Sequence, residues 1–284
     1  MPLILTEEQT MLKEAADGFL NENAPLAHLR KLRDSRDADG VSRELWRAFG
    51  EMGLAGVIIP EAHGGAGLGA VEAGVVAESL GRTLTPSPFM GSAVLSARVL
   101  VEGGSEAQQA AWLPKIAAGE AIVSLAVDEG AKHAPGKITT TAERSGNGFR
   151  LNGSKAMVLD GHVADAVIVV ALTENGLTLF LVDPKTAGME VERTMMVDAH
   201  NAARITLSDV QVDADAVIGT VDGGEGLLDG ALNLGRACAA ASLTGAGDQA
   251  FQITMEYLKT RKQFGRAIGE FQALQHRAAH LFSE

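Results

Sequence analysis

At 284 residues and 46% apolar composition the chain can bury two or three cores, but an aromatic share of 4% leaves aliphatic side chains to fill most of the interior. A formal net charge of −12 argues against a nucleic-acid surface and against an anionic membrane. Any anionic ligand must then rely on local cations, for which Arg236 and Arg261 are candidates. The single Cys238 permits no disulfide within one chain, and its small-residue run, Ala237–Ser242, marks a buried thiol. No apolar run approaches bilayer length and residues 1–6 lack a signal-peptide pattern, so a cytoplasmic protein is expected.

Residues 1–118 read as helices. Thr6 and Gln9 form a capping box ahead of Met11, Leu12, Ala15, Phe19 and Leu20, whose spacing is helical as far as Pro25. Ser42 caps Leu45–Met52, and Ala70–Leu80 and Gly91–Val101 read as further helices. Ser105 and Gln108 form a second capping box, opening a helix to Ala118 that Pro114 is expected to kink or divide. From Ala121 the period changes. Ala121–Val127, Ile138–Arg144, Phe149–Leu151, Ala166–Thr173, Leu177–Val182, Met189–Arg193 and Ala203–Leu207 read as strands, with Asn175-Gly176 as a hairpin turn. Short strands separated by turns suggest a small antiparallel β domain. Helical spacing returns near Gly224 and continues to Thr260, with glycines at 230, 235, 245 and 247 that permit close approach of a neighbour. A last helix from about Phe271 places Leu274, Ala278, Leu281 and Phe282 on one face. The expected division is 1–118 helical, 119–219 β and 220–284 a partial helical bundle, an α+β fold.

Between the last two helices stands Arg261-Lys-Gln263-Phe264-Gly265, followed by Phe271-Gln272. As local structure it reads as a helix C-terminus, with cations on the dipole and a closing glycine. As chemistry, Arg261 offers a planar fork of donors to a diphosphate, Phe264 can cover an aromatic ring, and Gln263 and Gln272 can donate and accept. The segment resembles the Arg-x-x-Phe-Gly…Phe-Gln motif of the acyl-CoA dehydrogenase family. Ile59-Pro60-Glu61-x-x-Gly64-Gly65-x-Gly67, the stretch Ile138–Lys155 with Leu151-Asn152-Gly153-x-Lys155, and Val210-x-Val212 before Ile218-Gly219 resemble the same family. The resemblance covers essentially the whole chain. It implies the order N-terminal helical domain, middle antiparallel β domain and C-terminal helical bundle, here incomplete. It also implies FAD as cofactor, an acyl-CoA substrate desaturated between Cα and Cβ, and electron-transfer flavoprotein as acceptor. The motif at Arg261, Gln263, Phe264 and Gln272 is implied to hold the pyrophosphate and adenine end of FAD across a subunit interface.

The departures are as informative. The family's Thr-Glu-Pro-x-Ala-Gly-Ser-Asp loop, whose hydroxyls contact the flavin, falls on Val127, Asp128 and Glu129, with His133 at its Ser. His133 has no neighbour in sequence that suggests a pairing and reads as a solvated loop residue. The Trp-Ile-Thr-Asn stretch that packs on the flavin ring falls on Met157, Val158, Leu159 and Asp160, leaving Met157 and backbone donors near Val158 as the flavin contacts. The family's catalytic carboxylate occupies one of two places. The one on the long helix is Gly235 here, before Arg236, and the other lies beyond residue 284. Asp229 and Glu225 lie a turn or more earlier and read as solvated. Arg236 reads either as a ligand of the thioester and CoA chain or as a structural ion pair. The chain is expected to be an acyl-CoA dehydrogenase-like subunit without its own catalytic Glu, either a shortened enzyme or the base-less member of a heteromer. The alternatives are a flavin monooxygenase or acyl-CoA oxidase relative, and a non-catalytic scaffold. Association with itself or with a homologue is expected from the last helix, whose Phe271, Leu274, Leu281 and Phe282 have no later helix to cover them.

Overall fold

The computed structural model describes residues 4–284. Helix α1, Glu7–Asn23, starts at the Thr6 capping box, both bonds of which form. Pro25 then opens α2, Leu26–Asp34, a helix the sequence reading did not find. Ser42 caps α3, Arg43–Glu51, and α4 spans Ala70–Thr83. The expected helix over Gly91–Val101 is two pieces, a π-helical stretch Phe89–Ser96 and α5, Ala97–Gly103. The Ser96 hydroxyl donates to the Gly91 carbonyl at 2.8 Å inside the widened turn. Helix α6, Glu106–Ala117, begins at the second capping box and runs through Pro114 without dividing. Burial of Leu113 and Ile116 holds it in spite of the lost backbone bond.

The middle of the chain supplies β1 Val123–Ala126, β2 Thr141–Ser145, β3 Gly148–Leu159, β4 Ala166–Leu172, β5 Leu177–Val182, β6 Met189–Met195, β7 Asn201–Val212 and β8 Val217–Ile218. The strand order is β6-β7-β3-β2-β4-β5-β8, with β1 paired to β4. The sheet is therefore mixed and not antiparallel throughout, because β1 and β2 each run parallel to β4. The expected hairpin at Asn175-Gly176 forms, with Leu172 opposite Leu177. Strands β3 and β7 are much longer than their apolar segments suggested, and β3 carries irregularities between Leu151 and Gly153 and between Lys155 and Val158.

Helix α7, Glu225–Thr260, has 36 residues and is roughly 54 Å long. From its start to about Gln249 it lies against α5, the π-helical stretch and α4. The approach to α4 brings backbone to backbone: a Cβ at Gly245 would collide with the Glu78 carbonyl, and one at Gly81 with the Ser242 carbonyl. Ion pairs flank this seam, Arg82 with Asp248 on one side and Lys13 with Glu78 on the other. Beyond α7 the chain forms a two-stranded ribbon, β9 Lys262–Gln263 and β10 Arg266–Ala267, then α8, Gln272–Ser283. Helix α8 folds back on α7, so Leu274, Ala278 and Leu281 face Phe251, Met255 and Leu258 across an apolar groove of ≈ 500 Å³. The groove stays open, and no residue of α8 is buried, so the last helix is left largely uncovered as the sequence reading expected. Leu281 and Phe282 stay exposed. Among the described residues no helix is long and apolar enough to cross a membrane.

Gly245→Ala should force α7 away from α4 and lower stability by about 1–3 kcal/mol. Gly247→Ala, where the added methyl meets nothing within 4 Å, should not. Chemical denaturation of the two variants checks this.

Candidate functional site

The segment after β1 is anchored onto β3 by a buried charge. Lys155 is fully buried, and its Nζ donates to the Val127 carbonyl at 3.1 Å and to Glu129 Oε1 at 2.8 Å. The backbone and hydroxyl groups of Thr139 and Thr140 also donate to the Glu129 carboxylate. Burial works against the Glu129 charge, yet these bonds outweigh it and bring the carboxyl down to about 2. Burial depresses Lys155, while the hydrogen bond and charge of Glu129 oppose that fall. One residue along, the Asp128 carbonyl accepts from the Ala156 N–H at 2.7 Å. Asp128 also pairs with His133, with Nδ1 2.8 Å from Oδ2. The expected solitary loop histidine is therefore corrected: its partner lies five residues earlier, a spacing that only the loop closure brings together.

Immediately after Ala156, Met157 sits in the left-handed region at φ 55°, with 46% of its surface exposed. A bulky side chain in that backbone state is strained, and such strain gathers at ligand sites. Val158 behaves differently, because its side chain is buried in the sheet core. Only its backbone is available to a ligand. The Leu159 carbonyl accepts from Ser124 Oγ at 2.8 Å and lies beside Gly91 of the π-helical stretch. Asp160 is also left-handed, at φ 52°, and its carboxyl makes no side-chain hydrogen bond among the described residues. Burial alone pushes that carboxyl up to about 7.

The π-helical stretch links this segment to α7. Leu95 presses against Gly235, where its methyl would be 2.5 Å from an added Cβ. Arg236 follows and points outward. Its Nη1 donates to Asn233 Oδ1 at 2.8 Å, and it forms no ion pair among the described residues. The structural ion pair considered for Arg236 is thus absent there. Cys238 is buried, and burial pushes its thiol up to about 11, away from nucleophilic chemistry.

Arg261, Gln263, Phe264 and Gln272 form a separate cluster. The expected helix C-terminus forms, with Arg261 as the C-cap of α7, but Gly265 does not close it: Phe264 at φ 53° and Gly265 at φ 81° make the turn of the β9–β10 ribbon. Phe264 is 92% exposed at the tip of that turn, edge-on to Phe271 at 6.1 Å. Arg266 covers the other ring at 4.3 Å. Arg261 and Gln272 are exposed, and Gln263 Nε2 donates only to the adjacent Lys262 carbonyl at 2.8 Å. Arg261 stands roughly 39 Å along α7 from Gly235. The π-helical stretch touches Leu159 and Gly235, the sequence neighbours of Val158 and Arg236, while Arg261, Gln263, Phe264 and Gln272 lie at the far end of α7. Two large apolar residues are displayed in left-handed backbone, one with a free guanidinium nearby. That set of side chains fits a dinucleotide carrying a planar ring system.

Three family models match in order: the acyl-CoA dehydrogenase N-terminal domain over residues 6–120, the middle domain over 126–210 and the C-terminal domain over 222–284. The chain is 34% identical to acyl-CoA dehydrogenase FadE27 of Mycobacterium tuberculosis, over 98% of this chain and 72% of that protein. It is 30% identical to the mitochondrial short/branched chain specific acyl-CoA dehydrogenase of Bos taurus, over 98% of this chain and 66% of the relative. The chain thus spans about two thirds of the length of such relatives. The ChsE4–ChsE5 complex from Mycobacterium tuberculosis contains a similar structure, with a TM-score of 0.87 at 31% identity, covering 99% of this chain and 74% of that one.

Asp160 gives a pH test of the Met157–Asp160 segment. Unfolded, the carboxyl ionises near 3.8, and folded near 7, so native stability falls as pH rises across that window and the full cost is present above it. Asp160→Asn, which keeps a residue type at ease in left-handed backbone, should gain on the order of 2–4 kcal/mol at pH 7.5 and little near pH 3.5. Denaturation curves at the two pH values read the difference.

Proposed function

The chain belongs to the acyl-CoA dehydrogenase family, and from that premise we propose that it is an FAD-binding subunit of an acyl-CoA-desaturating enzyme whose long helix supplies no catalytic carboxylate. Members of the family are FAD flavoproteins, and the homologous acyl-CoA dehydrogenases are oxidoreductases acting on CH–CH groups. The observation that carries the base-less reading is Gly235. No carboxylate stands at that position of α7, and Leu95 fills the space beside it. A positioned base contributes roughly 10²–10⁴-fold, so the reaction needs a carboxylate from elsewhere, and a homologous partner chain is the source proposed. The similarity to one chain of the ChsE4–ChsE5 complex supports a heteromer.

Within that assembly Met157 offers an apolar face to the flavin ring, and the backbone around Val158 offers donors. When bound, FAD supplies the acceptor for the hydride leaving Cβ. Arg236 holds the thioester and CoA chain, close to Gly235 and the π-helical stretch. Arg261, Gln263, Phe264 and Gln272 take the pyrophosphate and adenine of a cofactor seated mainly on a second chain. Electron-transfer flavoprotein is the proposed acceptor.

Two measurements test this. The purified chain alone should turn over acyl-CoA, with an artificial electron acceptor, at least about 100-fold more slowly than it does with a base-bearing homologue. Turnover by the chain alone at the rate of the assembly would show that a base has been overlooked. Arg261→Ala, assayed with whatever partner FAD binding requires, should weaken FAD affinity about tenfold or more through loss of a charge-assisted fork. An unchanged affinity would remove the basis for that half-site.

A further inference from the structure

The loop between α2 and α3 is held from the β domain by its carbonyls, four of them in a row. Arg193 of β6 donates through Nη1 to the Asp37 carbonyl at 2.6 Å and to that of Ala38. His162, in the connection between β3 and β4, has Nε2 2.7 Å from the Asp39 carbonyl. Asn201 of β7 donates through Nδ2 to the Gly40 carbonyl at 3.2 Å, and Arg193 Nε steadies it by donating to its Oδ1 at 2.9 Å. From inside the loop, the Asp37 carboxylate accepts the N–H groups of Asp39 and Gly40. Gly40 is left-handed at φ 64°, and a Cβ there would stand 2.2 Å from Asn201 Nδ2. The same clasp reaches the Met157–Asp160 segment. The Asn201 carbonyl accepts from the Asp160 N–H at 3.3 Å, and the Asp160 carbonyl from the Val163 N–H at 3.0 Å, which closes the turn that carries His162.

His162 is the clasp member whose donor is titratable near neutrality. A carbonyl only accepts, so Nε2 carries the hydrogen and Nδ1 of the neutral ring carries a lone pair. Nδ1 is buried and has no partner among the described residues. A proton added there would be an N–H without an acceptor, on a charged ring beside the Arg193 guanidinium. We propose that His162 is an acid-sensitive latch: neutral, it keeps the α2–α3 loop docked on the β domain and on the Met157–Asp160 segment, and protonated, it lets the loop go. Burial above all holds the imidazole below its usual range, and Arg193 adds to that, while the Asp39 carbonyl and carboxylate oppose it. Other charged groups stand nearby. Arg43 of α3 holds the Val163 carbonyl and pairs with Asp165, and His28 of α2 faces Asp37. In the open loop the imidazole returns to water and ionises near 6.5, above its value in the closed clasp. Docking is therefore complete above that pH and weakens as the pH falls through it. The Asp160 carboxyl, pushed up to about 7 by burial, favours the closed state in acid and so opposes the release.

The test is hydrogen exchange by mass spectrometry on the full chain at about pH 7.5 and pH 5, corrected for intrinsic exchange rates, for the wild type, His162→Gln and His162→Ala. Glutamine offers an uncharged N–H donor at about the reach of Nε2 and does not titrate. In the wild type, protection of the peptide across residues 37–42 should fall about tenfold at the lower pH, and that across 157–163 should fall with it. The α7 peptide around Gly245 should keep its protection, which marks the opening as local. His162→Gln should hold the loop about tenfold better protected than wild type at pH 5; His28 is present in both, so its titration cancels in the comparison. His162→Ala should be as unprotected at pH 7.5 as the wild type is at pH 5. Four results would each overturn the proposal: a wild-type loop equally protected at both pH values, a loss of protection shared by the whole chain, His162→Gln as labile in acid as the wild type, or His162→Ala as well protected at pH 7.5 as the wild type.

Discussion

The burial of Lys155 is the constraint on which the proposed cofactor face depends. An ammonium removed from water is costly unless a carboxylate and further hydrogen bonds meet it, and breaking such a pair costs roughly 3–5 kcal/mol. Glu129 therefore has to point inward, and Thr139 and Thr140 have to close around it. Three segments distant in sequence, the end of β1, the start of β2 and the middle of β3, are thereby tied to one point. The geometry of the neighbours follows. With residue 129 turned in, Asp128 bonds back to Ala156, His133 swings onto Asp128, and the strand irregularity at Met157 lifts that side chain to the surface.

The second constraint is the seam between α4 and α7, where glycines let carbonyl oxygens of one helix reach the axis of the other. It orients α7 firmly as far as Gln249 and leaves the remaining turns to the β9–β10 ribbon and α8. The long helix is thus a rigid spacer between two chemically different ends. Near one end Leu95 sits on Gly235, an apolar contact. At the other, an exposed phenylalanine in left-handed backbone is displayed with an unpaired arginine.

Much of this was legible in the chain. Both capping boxes, the Asn175-Gly176 hairpin and the uninterrupted α7 are local patterns, and local patterns survive into the fold. What escaped depends on contacts between distant residues. The parallel pairing of β1 with β4 leaves no trace in alternation, because both strands are apolar on every residue that pairs except Ser124. Helix α2 was hidden by its basic residues and by Pro25, which was read as an end although it is equally a beginning. Pro114 was overweighted, since burial of its neighbours keeps α6 continuous. Of the residues named for the site, Met157 and Phe264 stand exposed and the Val158 side chain is buried. The pairing of His133 with Asp128 was missed because five residues is neither a helical nor a strand spacing, and only the loop's closure creates it.

The separation of the two half-sites along α7 has a consequence for how the cofactor is retained. If the ring is gripped by one chain and the diphosphate and adenine end by another, no single chain carries a complete grip. Retention of the flavin is then coupled to assembly by mass action: each bound cofactor cross-links two chains, and each separated chain loses part of its hold. Yellow colour becomes a gauge of association, deep in concentrated protein and fading on dilution as chains part. Free flavin, added back, should act as a glue.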